Sequence, residues 1–373
     1  MTLDFCAYAQ SLDLFRYPRT PHLEGSRLQD GDEGHGHVPY RTLAGQTLVV
    51  EEKLDGANTG ISFSPSGELL LQSRGHYLVG GGRERQFSFI KAWAAAHADW
   101  LLDRLEDRYV MYGETLSKKH SVFYDALPHH FFEFDVLDRR TGEFLSTGAR
   151  RALLAGGPVL SVPVLYEGPA PARLADLKAL LKPSLAKTAG WRDAFEATVL
   201  REGLDLARAW KQCDKSDLSE GLYIKAEAHG KTLARYKWVR RDFVQAILDS
   251  DMHHSEQPYI PNLLADGVDL YAPRLAVDWD TLRGAPATER HHELRTDPGT
   301  DSHACARRRL RRVPGGLSRA GAGQDHAAGP ALSRRGRRMD AHTDGRGRAA
   351  RAAAVPGCVT RRPGDRVPGR AAA

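Results

Sequence analysis

The amino-acid vocabulary changes abruptly near residue 284, and that break limits which part of the chain can fold. From Ala285 to Ala373 there is no Ile, Phe, Tyr, Trp, Lys or Asn, while 19 arginines stand among Ala, Gly and Pro. A stretch so poor in large apolar side chains cannot bury enough surface to offset the entropy of ordering it. Residues 285–373 are therefore expected to be disordered. Two readings of their origin stand open: an arginine-rich tail that binds RNA, or translation of a GC-rich gene in a wrong frame, which the DNA sequence around codon 284 decides. The tail carries a net charge of +11, so the first 284 residues are at −5 although the whole chain is +6. Any phosphate-binding face on the body must then be a local cluster.

The body has the texture of a sheet with covering helices. Short alternating or apolar runs separated by turn signals predict strands at 47–52, 60–63, 68–73, 109–114, 131–137, 162–166, 220–226 and 232–239. Apolar residues at near-helical spacing predict an amphipathic helix over 87–108, with further helical stretches at 146–154, 172–181, 191–210 and 241–250. The first 46 residues, with Tyr17-Pro18-Arg19-Thr20-Pro21-His22 and scattered glycines, read as an extended segment packed on the catalytic domain, which is expected to span 47–275.

Composition excludes several classes. No run of about 18 apolar residues spans a membrane, and the opening lacks a basic stretch followed by an apolar one, so a cytoplasmic protein without a membrane partner is expected. Cys6, Cys213, Cys305 and Cys358 lie far apart with no Cys-x-x-Cys pair, which argues against a zinc site or a disulfide framework.

The chemistry-bearing stretch is Glu51-Glu52-Lys53-Leu54-Asp55-Gly56-Ala57-Asn58, which delivers one lysine to the end of a strand. By itself the pattern is weak, since Lys-x-Asp-Gly arises by accident in about one chain in ten of this length. Five further elements follow it in order: Arg74 in Gln-Ser-Arg-Gly, Glu114 in Tyr-Gly-Glu, the pair Phe134-Asp135, Glu220-Gly-Leu-Tyr-Ile-Lys225, and Arg235-Tyr-Lys237. Each lies on or ends a predicted strand.

Together these elements resemble the motif series of the covalent nucleotidyltransferases: ATP-dependent DNA ligases, RNA ligases and mRNA capping enzymes. Within that superfamily the chain is similar to RNA ligases of the second T-even phage class, through Asn58 five residues after the lysine and the unbroken first strand. The opening Tyr17 to Ser26 and the stretch Tyr223 to Arg240 are also similar to a bacterial RNA ligase-domain family. The resemblance covers about residues 15–275. It implies an α+β fold, a nucleotidyltransferase (ATP-grasp-like) arrangement of antiparallel sheets with flanking helices and a central nucleotide cleft.

It also implies roles. Lys53 would attack the α-phosphate of ATP and carry AMP, which passes to an RNA 5′-phosphate before a 3′-hydroxyl seals the strand. Lys225 and Lys237 would neutralise phosphate charge, and by like-charge repulsion make Lys53 nucleophilic. Glu220 and Asp135 would hold Mg²⁺ or Mn²⁺ as hard oxygen ligands. Phe134 would stack on adenine, main-chain groups beside Glu52 would read its edge, and Glu114 would bind the ribose. Arg74, Asn58 and Arg235 complete the nucleotide contacts. Arg235 stands where the family usually has lysine, keeping the charge but not the geometry. The implied partners are RNA ends and an end-healing kinase or phosphatase, and the implied process is RNA repair.

Each of these residues also has a plain reading. Lys53 alone is a solvated turn lysine, Glu114 and Glu220 are strand-end acids, Phe134 is a core aromatic, and Asp135 caps a turn. Lys118-Lys119-His120 could meet RNA phosphate or form a charged loop, and the Gly80–Gly82 loop lacks the Lys-Ser/Thr of a P-loop. His35-x-His37, His129-His130 and His253-His254 have no third ligand at metal spacing. Rival functions are a DNA ligase or capping enzyme, disfavoured because the body ends too soon after Lys237 for an oligonucleotide-binding barrel, and a nucleotide- or RNA-binding regulatory module without ligation activity.

Overall fold

A computed structural model describes residues 12–28, 36–243 and 258–271. All belong to the first of two units, Met1–Ser302. The expected tail at 285–373, nearly all of the helix at 241–250, His35, His253, His254, Cys6, Cys305 and Cys358 lie outside the described residues.

Ten strands make one sheet: β1 (Thr47–Lys53), β2 (Ala57–Phe63), β3 (Leu69–Ser73), β4 (Tyr109–Thr115), β5 (Phe131–Asp138), β6 (Glu143–Leu145), β7 (Leu160–Ser161), β8 (Val164–Pro169), β9 (Gly221–Ala228) and β10 (Lys231–Val239). Their order is β3-β2-β4-β5-β6-β10-β9-β1-β8, and β7 pairs with β5. Every pairing is antiparallel except β5 with β7. The mainly antiparallel architecture with a few helices agrees with the α+β expectation.

The strand order has two halves. In the first, β2, β3 and β4 pack Ile61, Phe63, Leu71 and Met111 against Ile90, Trp93 and Leu101 of helices α1 (Ser88–Ala96) and α2 (Ala98–Leu105). In the second, alternate residues of three strands, Leu48 and Val50, Leu222, Ile224 and Ala226, Tyr236 and Trp238, share one core. The two-residue period of a strand then sends Glu51 and Lys53, Tyr223 and Lys225, Arg235 and Lys237 to the opposite face. That alternation is what assembles the candidate site.

The helix expected over 87–108 breaks at His97 (φ −111°, ψ 17°). The His97 ring bonds the carbonyl of Trp93 at 2.8 Å, a local alternative to continuing the helical ladder. Helix α3 (Thr147–Leu153) is capped by Ser146, whose hydroxyl accepts from the Ala149 amide. Helix α4 (Leu174–Lys178) covers the second half through Leu177. Helices α5 (Trp191–Arg201) and α6 (Leu206–Lys211) form a layer around Trp191, Phe195 and Phe123.

Residues 12–28 are not helical or looped out. The Tyr112 hydroxyl and the Gln72 amide both donate to the Phe15 carbonyl at 2.7 Å. Further along, Lys237 is held on both sides, its amide donating to Pro21 and its carbonyl accepting from Leu23, each at 2.9 Å. The segment therefore touches both halves of the strand order.

Candidate active site

Lys53 ends β1 opposite Gly221, the first residue of β9. A Cβ on Gly221 would lie 2.0 Å from the Trp238 carbonyl, so only glycine lets β9 and β10 close here and bring Glu220 up to the lysine. The Lys53 ammonium donates to Glu220 at 2.6 Å, with 22% of the lysine side chain exposed and 2% of the glutamate. The turn after Lys53 has its own reasons. A Cβ on Gly56 would be 2.5 Å from the Thr115 carbonyl. Asp55 accepts from the Ser121 and Val122 amides at 2.6 and 2.7 Å, and its own amide donates to the Tyr124 hydroxyl at 2.9 Å.

Glu114, on β4, accepts from the Gly56 amide at 2.9 Å and lies across from Asn58 in the β2–β4 register. Burial pushes its carboxyl up to about 7; Lys53 and Arg74 oppose this, and Asp55 and Glu220 add to it. Burial alone would push the Lys53 amine down, but Glu220 and then Glu114 outweigh it and hold the amine above its ordinary value. The charged groups acting most strongly on Lys53 are carboxylates: Glu220, Glu114 and then Asp55.

Lys225 has acids of its own as partners. Its side chain has no exposure, and it is bound by Glu51 and Asp135 at 3.0 Å each and by the Phe134 carbonyl. It shares a sheet face with Lys53 but stands further along it, paired with Val49 where Lys53 is paired with Gly221. The Asp135 carboxylate accepts from the Tyr17 hydroxyl and from Arg235 at 3.4 Å, and forms an ion pair with Lys225 at 3.0 Å. Burial would raise its pKa, yet Lys225 and Arg235 hold it below the usual carboxylate range. In this arrangement the Asp135 carboxylate is a counter-ion to Lys225 and Arg235, while its Oδ1 is buried without a hydrogen bond.

The remaining expected residues are distributed around this centre. Phe134 is half-buried, edge-on to Tyr17 with ring centroids 5.2 Å apart. Arg74 is exposed just past β3. The Glu52 amide donates to the Pro163 carbonyl at 2.9 Å. Arg235 lies over the Phe144 ring at 3.7 Å, and Lys237 is partly exposed on β10. Lys118 and Lys119 are buried, with Lys119 donating to the Gln212 carbonyl at 2.5 Å, so neither offers its ammonium at the surface. His129 is buried against Trp93 and Phe89.

Three residues that the motif series did not single out complete the site. Arg150 of α3 donates to Glu133 at 2.6 Å and to Glu51, and all three are fully buried. Tyr17 bonds Asp135 and lies 2.5 Å from the Tyr223 hydroxyl. Tyr223 was legible as the residue alternating with Lys225, and Tyr17 from its place in the opening motif. Arg150 had no such signal.

The acids bear on a divalent cation in only one way. Among the described residues no group of three or more His, Cys, Asp or Glu side chains is arranged to hold a metal ion. Glu220, whose short bond is to a displaceable ammonium, fits an ion that keeps its waters and takes most of its ligands from substrate phosphates. No described helix is long and apolar enough to cross a membrane.

A sequence profile of the family described as RNA ligase matches residues 46–239. Among solved structures the chain is similar to an RNA ligase of Naegleria gruberi, a lysine-to-alanine mutant with ATP and Mn, at 18% identity over 54% of this chain and 51% of that one, TM-score 0.35. It is also similar to an archaeal ATP-dependent RNA ligase at 17% identity over 60% of this chain and 48% of that one, TM-score 0.35. The match thus spans about half the length of these proteins. A search of curated proteins gave no match.

Proposed function

The chain belongs to the RNA ligase family, whose profile spans residues 46–239, and on that premise we propose that it is an ATP-dependent RNA ligase working through a lysyl-AMP. The observation that carries the reading is Lys53, partly exposed at the end of β1 with its amine 2.6 Å from Glu220.

The Lys53 ammonium loses one proton to free the lone pair on Nζ, which attacks the α-phosphorus; a nitrogen–phosphorus bond forms, the bond to pyrophosphate breaks, and the nitrogen gives up a second proton. Glu220 stands at hydrogen-bond distance to receive one, and Glu114, pushed up to about 7, is a second acceptor near neutral pH. An RNA 5′-phosphate oxygen then takes AMP from the lysine, and a 3′-hydroxyl displaces AMP to form the phosphodiester. Glu220 would be the residue to hold a divalent cation, which when bound would supply positive charge to offset that of the phosphates. Lys237 and Arg235 share one sheet face with Lys53 and serve the phosphates, Phe134 offers a ring to adenine, and Glu114 and Asn58, cross-strand neighbours, serve the ribose. Lys225 holds the Phe134 carbonyl. Sealing of 5′-phosphate and 3′-hydroxyl ends suits RNA repair in the cytoplasm, after an end-healing kinase or phosphatase.

Incubation with α-labelled ATP and Mg²⁺ or Mn²⁺ tests the reading. Wild type retains label through denaturation and Lys53→Ala does not. No retention by wild type between pH 6 and 9 overturns it.

A further inference from the structure

The motif series accounts for residues that face the nucleotide, yet the most completely buried charges lie behind it. Glu51, Glu133, Asp135, Arg150 and Lys225 are all without side-chain exposure. Arg150 reaches Glu133 with one terminal nitrogen and Glu51 with the other. Glu133 also accepts from the Ser161 hydroxyl at 2.7 Å. The two acids belong to different halves of the strand order: Glu51 lies on β1 two residues before Lys53, and Glu133 lies on β5 directly before Phe134. Lys225 then ties Glu51 to Asp135 and to the Phe134 carbonyl, closing the loop.

We propose that Arg150 is a positioning residue for adenylyl transfer: its guanidinium clamps Glu51 to Glu133 and so fixes the distance and angle between the strand that carries Lys53 and the strand that carries Phe134. The proposal rests on the ligase reading and adds to it a residue from α3, outside the motif series. The two-pronged geometry is what selects arginine, because a rigid planar fork holds two acids at once whereas an ammonium is a point charge. Its neighbour Arg151, next in sequence, is exposed, so the burial belongs to this position and not to the helix as a whole. Transfer of AMP depends on the nucleophile and the base-holding strand keeping a register that a small shift would spoil.

The test separates positioning from stability. Self-adenylylation is followed for wild type, Arg150→Lys, Glu51→Gln and Trp191→Phe, with each rate expressed per folded molecule. Trp191 is a buried residue of the α5 layer and serves as a destabilised comparison. Arg150→Lys is expected to lower kcat for label transfer about tenfold with KM for ATP changed less than about twofold, as misplacement without lost binding predicts. Glu51→Gln keeps the Arg150–Glu133 pair and is expected to fold, so it carries the test if Arg150→Lys does not; its kcat falls likewise. Trp191→Phe keeps the wild-type kcat. Wild-type kcat in Arg150→Lys or Glu51→Gln, or an equal loss in Trp191→Phe, overturns the positioning role while leaving the ligase reading intact. Absence of label in wild type removes both.

Discussion

At the end of β1, Lys53 meets Glu220 with about a fifth of its side chain open to solvent, whereas Arg150, Glu51, Glu133, Asp135 and Lys225 have no exposure at all. Both regions are built from acids and bases, but they can do different things. An exposed ammonium can exchange its carboxylate for a phosphate at little cost. A buried cluster cannot change partners, because any group left unpaired bears the full desolvation penalty. The rim is therefore where chemistry can happen and the floor is what keeps the rim in register.

The largest expected effect breaks the comparison at the rim. Lys53→Ala should abolish retention of label while the protein unfolds at nearly the wild-type denaturant midpoint, since the lost pair is partly solvated. A large fall in stability together with the lost labelling would mean that Lys53 belongs to the floor.

The converse change is Glu133→Ala. It strips Arg150 of one buried partner and leaves Arg150 Nε, already without a hydrogen bond, worse placed. Breaking a buried pair of this kind costs about 3–5 kcal/mol, to be read from urea unfolding. A cost under about 1 kcal/mol, the range of exposed pairs, would contradict the assignment of these charges to a closed interior.

pH sharpens the contrast with a smaller effect. Glu114 at the rim has its folded carboxyl raised from 4.5 to about 7, chiefly by burial. The folded state thus binds its proton more tightly than the unfolded one, so this contribution to stability is present below about 4.5 and is lost as pH rises through about 7. Asp135 in the floor is lowered instead, and its contribution is lost only in acid. Melting temperatures of wild type and Glu114→Gln across pH 4.5–8 should converge at the acid end and separate in favour of the variant above pH 7. Parallel curves would remove Glu114 as a titrating rim group.

The smallest effect is a control outside both regions. Lys231 and Glu143 pair at 2.7 Å with nearly half of each side chain exposed. Lys231→Ala should change stability by less than about 1 kcal/mol, measured by the same unfolding curves.

Much of the rim was legible in the sequence because strand alternation is local. Once Leu222, Ile224 and Ala226 are assigned to a core, Tyr223 and Lys225 must face the other way, and the same holds for Arg235 and Lys237 beside Tyr236 and Trp238. The strands at 47–53, 109–115 and 231–239 begin and end close to where turn residues indicated. What alternation does not give is depth. Lys53, Lys225 and Lys237 look alike as strand lysines, yet only the sheet's tertiary pairing decides that Lys225 is roofed by Phe134 and bound by two acids. The break at His97 depended on a side-chain bond to its own helix, and the burial of Arg150 but not Arg151 depended on acids far away in sequence. The ion pairs of Asp135 were hidden for the same reason: its cationic neighbours come from β9 and β10, and a motif read along β5 does not contain them.

The central claim is that one amine at the end of β1 carries AMP. Wild-type protein incubated with ATP and a divalent cation, digested without acid and mapped by mass spectrometry, tests this most directly. The account predicts AMP on the peptide containing Lys53 and on that nitrogen. AMP on Lys225, on Lys237 or on a residue outside 46–239 would contradict it.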